Sequence, residues 1–229
     1  MQVPKHIALI PDENRRWAQN KSMPSFEGHR YAAQKVLPVL LDHCISLGIE
    51  YLTFWTVSTE NIKKRTPQEV NHLFQLMRWY VQFKLEEFHK KGVRITTIGD
   101  LSVLPEDIQK GIAQSVKKTA NNTNITLILA LNYGGRDEIV RAVKKMMKTG
   151  VSPDDVTADL IKSHLDTSSF PDPDLIIRSG GEQRTSGFLP WQSDYAEYVF
   201  IDKLFPDITT ADLDDAISQF TERKRRFGK

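Results

Sequence analysis

The chain holds a single cysteine, Cys44, among 229 residues. That excludes an intrachain disulfide and a Cys-based zinc site, and it fits a reducing, cytoplasmic setting. No apolar run approaches a membrane span, and residues 1–5 are too short and polar for a signal peptide, so a soluble protein is expected. Neither sign of charge is in excess. The 31 Lys+Arg and 29 Asp+Glu leave a net charge of +2, which predicts no global attraction to nucleic acid or to an anionic membrane. Strong anion binding must then come from a local arrangement. The common fingerprints are missing too: there is no GxxxxGK[ST], GxGxxG, HExxH or GxSxG. His6, His43, His72, His89 and His164 show no metal-ligand spacing and read as surface or packing residues.

What is present is an alternation. Short apolar runs at 6–11, 51–58, 94–99, 125–131, 174–178 and 198–201 are rich in β-branched and aromatic residues, as strands covered on both faces are. Between them the spacing predicts helices near 31–48, 67–91, 105–121, 135–149, 157–165 and 209–226, with Pro67 and Pro105 at first-turn positions. No repeat, low-complexity tract or long linker divides the chain. A single α/β domain over 1–229 is expected, with a mainly parallel sheet between helical layers.

The ends of the runs carry the chemistry. The first closes in Asp12-Glu13-Asn14-Arg15-Arg16 and the second in Ser58-Thr59-Glu60-Asn61. The fourth closes in Asn132-Tyr133-Gly134-Gly135-Arg136 and the fifth in Arg178-Ser179-Gly180-Gly181-Glu182-Gln183-Arg184. Open parallel sheets bind ligands beyond the carboxyl ends of their strands. Polar loops are common there, so one such cluster says little. Four on one rim, with Arg beside Gly or Ser, point to an anion site for which diphosphate is the natural candidate. The stripe Leu73, Leu76, Met77, Tyr80, Val81 is first of all a core face. Residue by residue, the reading ends at an α/β protein with a phosphate-binding rim and acids suited to a hard metal.

The same segments resemble the cis-prenyltransferases, the undecaprenyl diphosphate synthase family. HIALIPDENRRWA, STENIKKRTPQEV, NYGGRDEIVRAV and DPDLIIRSGGEQRTSGFLPWQSDYAEYVF are similar to its motifs from His6 to Gly228, nearly the whole chain. The resemblance implies a homodimer with a six-stranded, mainly parallel sheet. It also implies Mg²⁺-dependent condensation of isopentenyl diphosphate with an allylic diphosphate, each new double bond being cis. Asp12 is then the principal metal ligand and a catalytic residue, with Glu197 a second acid near the metal. Glu13, Asn14, Arg15, Arg16 and His29 fall at the allylic diphosphate, and Trp17 reads either as core or as substrate-side. Ser58, Thr59, Glu60, Asn61 and Arg65 match the segment between the two substrates, where Asn61 holds the position assigned to proton removal. Arg178, Arg184, Thr185 and Ser186 match the isopentenyl diphosphate pocket. Arg226 matches a tail motif that reaches the partner subunit's site. A lipid product leaves room for peripheral membrane contact on release.

Four departures mark this chain. Glu13 stands where the family usually has Gly, and Arg15 where many members have Gly. Ser25 takes the place of an Arg that grips the allylic diphosphate. Ile62 replaces a Trp, and KKRTP is one residue longer than usual, so Lys64 or Arg65 takes the Arg role. TSGF replaces xSNF. This combination resembles short-chain members making farnesyl-length products. The competing readings are a non-catalytic partner subunit, a phosphate-binding regulator or RNA-binding domain, and an enzyme joining allylic diphosphates with altered regiochemistry.

Overall fold

A computed structural model describes residues 3–223. In chain order the elements are β1 (His6–Ile10), α1 (Asn14–Asn20), α2 (Ser25–Tyr31), a π-helical turn (Ala32–Val36), α3 (Leu37–Ser46), β2 (Tyr51–Ser58), α4 (Thr59–Lys64), α5 (Pro67–Phe83) and α6 (Leu85–Lys90). Then follow β3 (Val93–Ile98), α7 (Glu106–Thr119), β4 (Ile125–Tyr133), α8 (Gly135–Lys148), α9 (Ala158–His164), β5 (Leu175–Ser179), β6 (Glu197–Ile201) and α10 (Thr210–Glu222). The six strands form one sheet in the order β3-β4-β2-β1-β5-β6, and every pairing is parallel.

Alternation along each strand sends neighbours to opposite faces. Ile7 and Leu9 point with Leu52, Leu127 and Ile177 into a core shared with Leu40 and Leu41 of α3, Phe88 of α6 and Ile217 and Phe220 of α10. Ala8 and Ile10 point the other way, with Ile128, Ala130 and Ile176, against Phe188 and Leu189. A third cluster lies toward the carboxyl ends of β2 and β4, where Val57 and Leu131 meet Leu73 and Met77 of α5 and Ile108 and Ile112 of α7.

The helix starts follow their sequence. Pro67 opens α5 behind Thr66, whose hydroxyl accepts the Glu69 N–H while the Glu69 carboxylate accepts the Thr66 N–H. Thr209 and Asp212 form the same reciprocal cap on α10. Pro105 sits one position outside α7 rather than in its first turn.

Two expected helices are divided. The segment 31–48 holds the end of α2, the π turn and α3, because Pro38 offers no N–H to the helical ladder. The segment 67–91 breaks at Lys84: α5 walls a cavity with α7, and α6 turns Phe88 into the core below the sheet. Three short helices were not expected: α1, α4 and, before Tyr31, α2.

Candidate active site

The carboxyl ends of β1, β2 and β5 open onto a cavity of about 380 Å³. One end is polar, lined by Asp12, Glu13, Asn14, Arg15, His29, Ser58, Asn61, Arg65, Arg178 and Ser186. The remaining wall is apolar: Phe54 and Val57 of β2, Leu129 and Leu131 of β4, Ile112 of α7, and Leu73, Leu76, Met77, Tyr80 and Val81 of α5. The α5 stripe is therefore both core face and cavity wall.

The polar end is built from backbone outward. Asp12 donates its N–H to Ser179 Oγ at 3.0 Å, and its Oδ1 accepts the Glu13 N–H at 2.8 Å. Its Oδ2 accepts from Arg178 at 2.6 Å. Arg178 is almost fully enclosed; it also donates to Ser186 Oγ at 2.9 Å and to the Arg184 carbonyl. The loop after β5 thus folds back on that guanidinium, using positive φ at Gly180, Gly181, Ser186 and Gly187. Buried polar atoms at this end keep open valences. Arg178 Nε, Arg65 Nε and Asn14 Oδ1 find no partner among the described residues. Both arginines, with Arg15, line the same cavity, and guanidinium groups are the donors an oxyanion needs.

Glu13 has φ 66°, ψ 25°, the left-handed conformation that glycine adopts without cost. The Glu-for-Gly departure is therefore a strained one. Its side chain lies over Gly180, and its carboxylate is 3.5 Å from Arg16 Nε. Arg15 and Arg16 diverge: Arg15 pairs with Glu69 of α5 at 3.1 Å, whereas Arg16 leans on the Gly180 carbonyl at 3.4 Å and lies outside the cavity lining. Arg65 faces the cavity and donates to His29 Nε2 at 3.4 Å, while Lys64 points to solvent. Desolvation, with Arg65 and Arg15 nearby, drives the His29 pKa down to about 3, so His29 is a neutral acceptor here. Ser58 caps α4 by accepting the Asn61 N–H at 3.0 Å, which fixes Asn61 at the rim. Ser25 sits at the start of α2, on an adjoining cleft that also contains Arg15, His29 and Arg65.

Other expected residues lie elsewhere. Trp17 is buried, stacked on Tyr31 with centroids 4.8 Å apart, and donates Nε1–H to Asp207 at 2.7 Å; it packs and does not line the cavity. Thr59 is buried with its hydroxyl on the Asn132 carbonyl at 3.2 Å, and Glu60 is exposed. Arg184 is exposed beside Glu182, and Thr185 shapes the loop through its carbonyl, which accepts the Phe188 N–H at 2.9 Å. The placement of Glu197 near the metal does not hold within one chain. Glu197 pairs with Leu175 at the amino end of β5, whereas Arg178, beside Asp12, pairs with Phe200. Three residues of strand, roughly 10 Å, separate the two levels. Glu197 instead accepts from Arg223 at 2.9 Å. Arg226 lies outside the described residues.

Two supporting features went unread in the sequence. One is Glu69, which binds Arg15 while capping α5. The other is the buried Glu138, which accepts from Tyr133 at 2.7 Å, Gln192 at 2.9 Å and the Asp166 N–H at 3.0 Å, fastening the loop after Arg184 to α8. The acid at 138 was visible only as part of a helix start.

Magnesium suits the donor set. Among the described residues no three His, Cys, Asp or Glu side chains cluster to cage a metal. Mg²⁺ needs no cage, since it keeps waters and joins one or two carboxylates to substrate phosphates. Asp12, one-third exposed on the cavity lining, is the carboxylate that could serve such an ion.

Comparison with known proteins agrees with this geometry. The sequence model of a prenyltransferase family, described as putative undecaprenyl diphosphate synthase, matches residues 10–228. The isoprenyl transferase of Clostridium perfringens is 46% identical over 99% of this chain and 90% of its own. The ditrans,polycis-undecaprenyl-diphosphate synthase ((2E,6E)-farnesyl-diphosphate specific) of Micrococcus luteus is 42% identical over 99% and 92%. Among solved structures, lavandulyl diphosphate synthase from Lavandula x intermedia, in complex with dimethylallyl diphosphate, superposes with a TM-score of 0.94 at 35% identity, covering 99% of each chain. A diphosphate-suited rim above an apolar cavity, on a chain matched end to end by these enzymes, places the protein in the isoprenyl transferase (undecaprenyl diphosphate synthase) family, and it is a prenyltransferase.

Proposed function

We propose that this enzyme condenses isopentenyl diphosphate with an allylic diphosphate, with Mg²⁺ bound at Asp12, to give a short cis-prenyl diphosphate. The observation that carries the reading is the two-ended cavity of about 380 Å³: Arg15, Arg65 and Arg178 at one end and an apolar wall behind them. An amphiphile with a charged head and a hydrocarbon tail fits both ends. The volume lies near the lower limit of small-molecule sites, which favours a short chain.

In this reading Asn14, Arg15, Arg65 and neutral His29 hold the allylic diphosphate over the cavity, its tail along α5. Arg178, Arg184 and Ser186 hold isopentenyl diphosphate. The allylic C–O bond breaks to release diphosphate, the alkene of isopentenyl diphosphate forms the new C–C bond, and the proton lost from isopentenyl diphosphate passes to the released diphosphate. Bound Mg²⁺ supplies positive charge to the departing diphosphate. Arginines fixed before the reaction do the same without reorganising. Asn61, an amide, is too weakly basic to take the proton and instead orients the alkene.

A homodimer, expected for this family, gives Glu197 and Arg226 a role. Glu197 bonds Arg223, at the root of the C-terminal segment, so both would serve a neighbouring subunit's site. A second reading, coupling of two allylic diphosphates with altered regiochemistry, is favoured by the likeness to lavandulyl diphosphate synthase. Incubation with Mg²⁺, labelled isopentenyl diphosphate and allylic primers of increasing length tests both. Short cis-prenyl diphosphates containing label support the first reading. Unlabelled products from primer alone support the second. A ladder extending to about eleven units would overturn the short-chain assignment, because such a chain exceeds a cavity of this class.

A further inference from the structure

We infer that Tyr80 is the floor of the prenyl cavity and sets product length, held in place by a hydroxyl bond to the Ala33 carbonyl that Pro38 makes available. The inference deepens the prenyl-transfer reading and rests on it.

The argument starts in the π turn. The Leu37 N–H bonds the Ala32 carbonyl, five residues back. The Ala33 carbonyl would look in the same pattern to residue 38. That residue is Pro38, which has no N–H. The carbonyl is left over by the ladder in a part-buried position, where it calls for another donor. Tyr80 of α5 provides it, its hydroxyl donating to the Ala33 oxygen across the cavity. A proline in one wall thereby fixes a phenol in the other.

The position of Tyr80 makes this consequential. Cavity-lining residues of α5 run from Leu73 to Tyr80 and Val81 and then stop. Leu73 to Tyr80 spans roughly 10 Å of helix, leading away from the diphosphate end. Beside Tyr80, Val81 fills the notch left by Gly111 of α7, where an added Cβ would stand 2.4 Å from Val81 Cγ1. Lys84, one turn on, is engaged with Glu87. A growing chain advancing along α5 meets the Tyr80 ring last, and the ring cannot swing aside while its hydroxyl is bound.

The test measures binding of unreactive allylic thiolodiphosphates of increasing isoprene number to the full chain with Mg²⁺. Wild type should bind tighter with each added unit until the tail reaches Tyr80, then weaken. Tyr80→Ala should move that break to a longer analogue, which gains ~10-fold or more, the equivalent of fewer than two newly buried methylenes. Tyr80→Phe keeps the ring but frees it, and Pro38→Ala restores an N–H that competes for the Ala33 carbonyl. Both should blur the break toward longer chains and lengthen the product mixture. A break unmoved in Tyr80→Ala, or in Tyr80→Leu should the alanine variant not fold, overturns the floor. Tyr80→Phe indistinguishable from wild type overturns the hydroxyl's part. A wild-type chain that binds no allylic analogue of any length refutes prenyl transfer itself, a separate result.

Discussion

Arg178 and Asp12 meet at 2.6 Å between the ends of β5 and β1, one nearly enclosed and the other a third exposed. Asp12→Ala should abolish turnover, a loss of at least about 10²–10³-fold for a group that stabilises transition-state charge. A loop-end acid would be expected to contribute little to stability, but here its removal leaves a buried guanidinium without its carboxylate. The cost should be about 1–3 kcal/mol, below that of a fully buried pair because Asp12 is partly solvated. Kinetics and thermal melts check both. Near-normal activity at ordinary Mg²⁺ would sink the assignment.

Arg184 has no buried role to lose. Arg184→Ala should raise KM for isopentenyl diphosphate by roughly 10–150-fold, the value of a charge-assisted contact, with the melting temperature unchanged. Arg178→Ala should do the same and melt lower. An effect confined to the allylic substrate would refute this placement.

The strain at Glu13 gives an opposite sign. Glu13→Gly removes a left-handed penalty of about 1 kcal/mol, less whatever the exposed contact with Arg16 contributed, so the melting temperature should rise by about 3 °C. It should also tighten allylic substrate binding, and Ser25→Arg should add to that. A markedly higher half-saturating Mg²⁺ in Glu13→Gly would instead make Glu13 a partner of Asp12 in holding the metal.

His6 predicts acid sensitivity. Its Nδ1–H donates to the Pro171 carbonyl at 2.7 Å and its Nε2 accepts the Thr53 hydroxyl at 2.8 Å, so the ring is neutral. Burial lowers its pKa to about 4. Below pH ~6.5 the unfolded chain takes up a proton that the folded chain refuses, so stability falls toward pH 4, by up to about 3 kcal/mol from this residue. His6→Gln should show a shallower decline in melts between those pH values; parallel curves would clear His6 of responsibility.

Deleting residues 226–229 tests the tail. Activity should fall while the oligomeric state, followed by light scattering, stays the same. An unaffected enzyme would show that the segment is idle.

Strand positions were legible because Ile7, Leu52, Ile128 and Ile177 sit in near-continuous apolar runs that only a doubly covered sheet accommodates. Helix interruptions were harder to read. The spacing passes over Pro38, two turns into its expected segment, although proline cannot donate to the helical ladder, and nothing local distinguishes Lys84 from its helical neighbours. Of the rim residues, Asp12, Glu13, Asn14, Arg15, Ser58, Asn61, Arg178 and Ser186 line one cavity, whereas Arg16, Thr59, Glu60, Arg184 and the fourth run's residues 132–136 do not. Glu197 did not, because its level on β6 depends on strand register, which a one-dimensional motif does not encode.

The close approach of Gly28 to Asn14 has a practical meaning. A Cβ at residue 28 would stand 1.8 Å from the Asn14 carbonyl, so α1 and α2 touch backbone to backbone. The opposing wall reaches across the gap with side chains of α5 and the turn before it: Glu69 to Arg15, Arg65 to His29, His72 stacked on Phe26, and Tyr80 to the Ala33 carbonyl. The site is a vice with one cast jaw and one adjustable jaw. Engineering for a different primer therefore belongs on the adjustable side, where side chains can be exchanged without moving the main chain that carries Asp12.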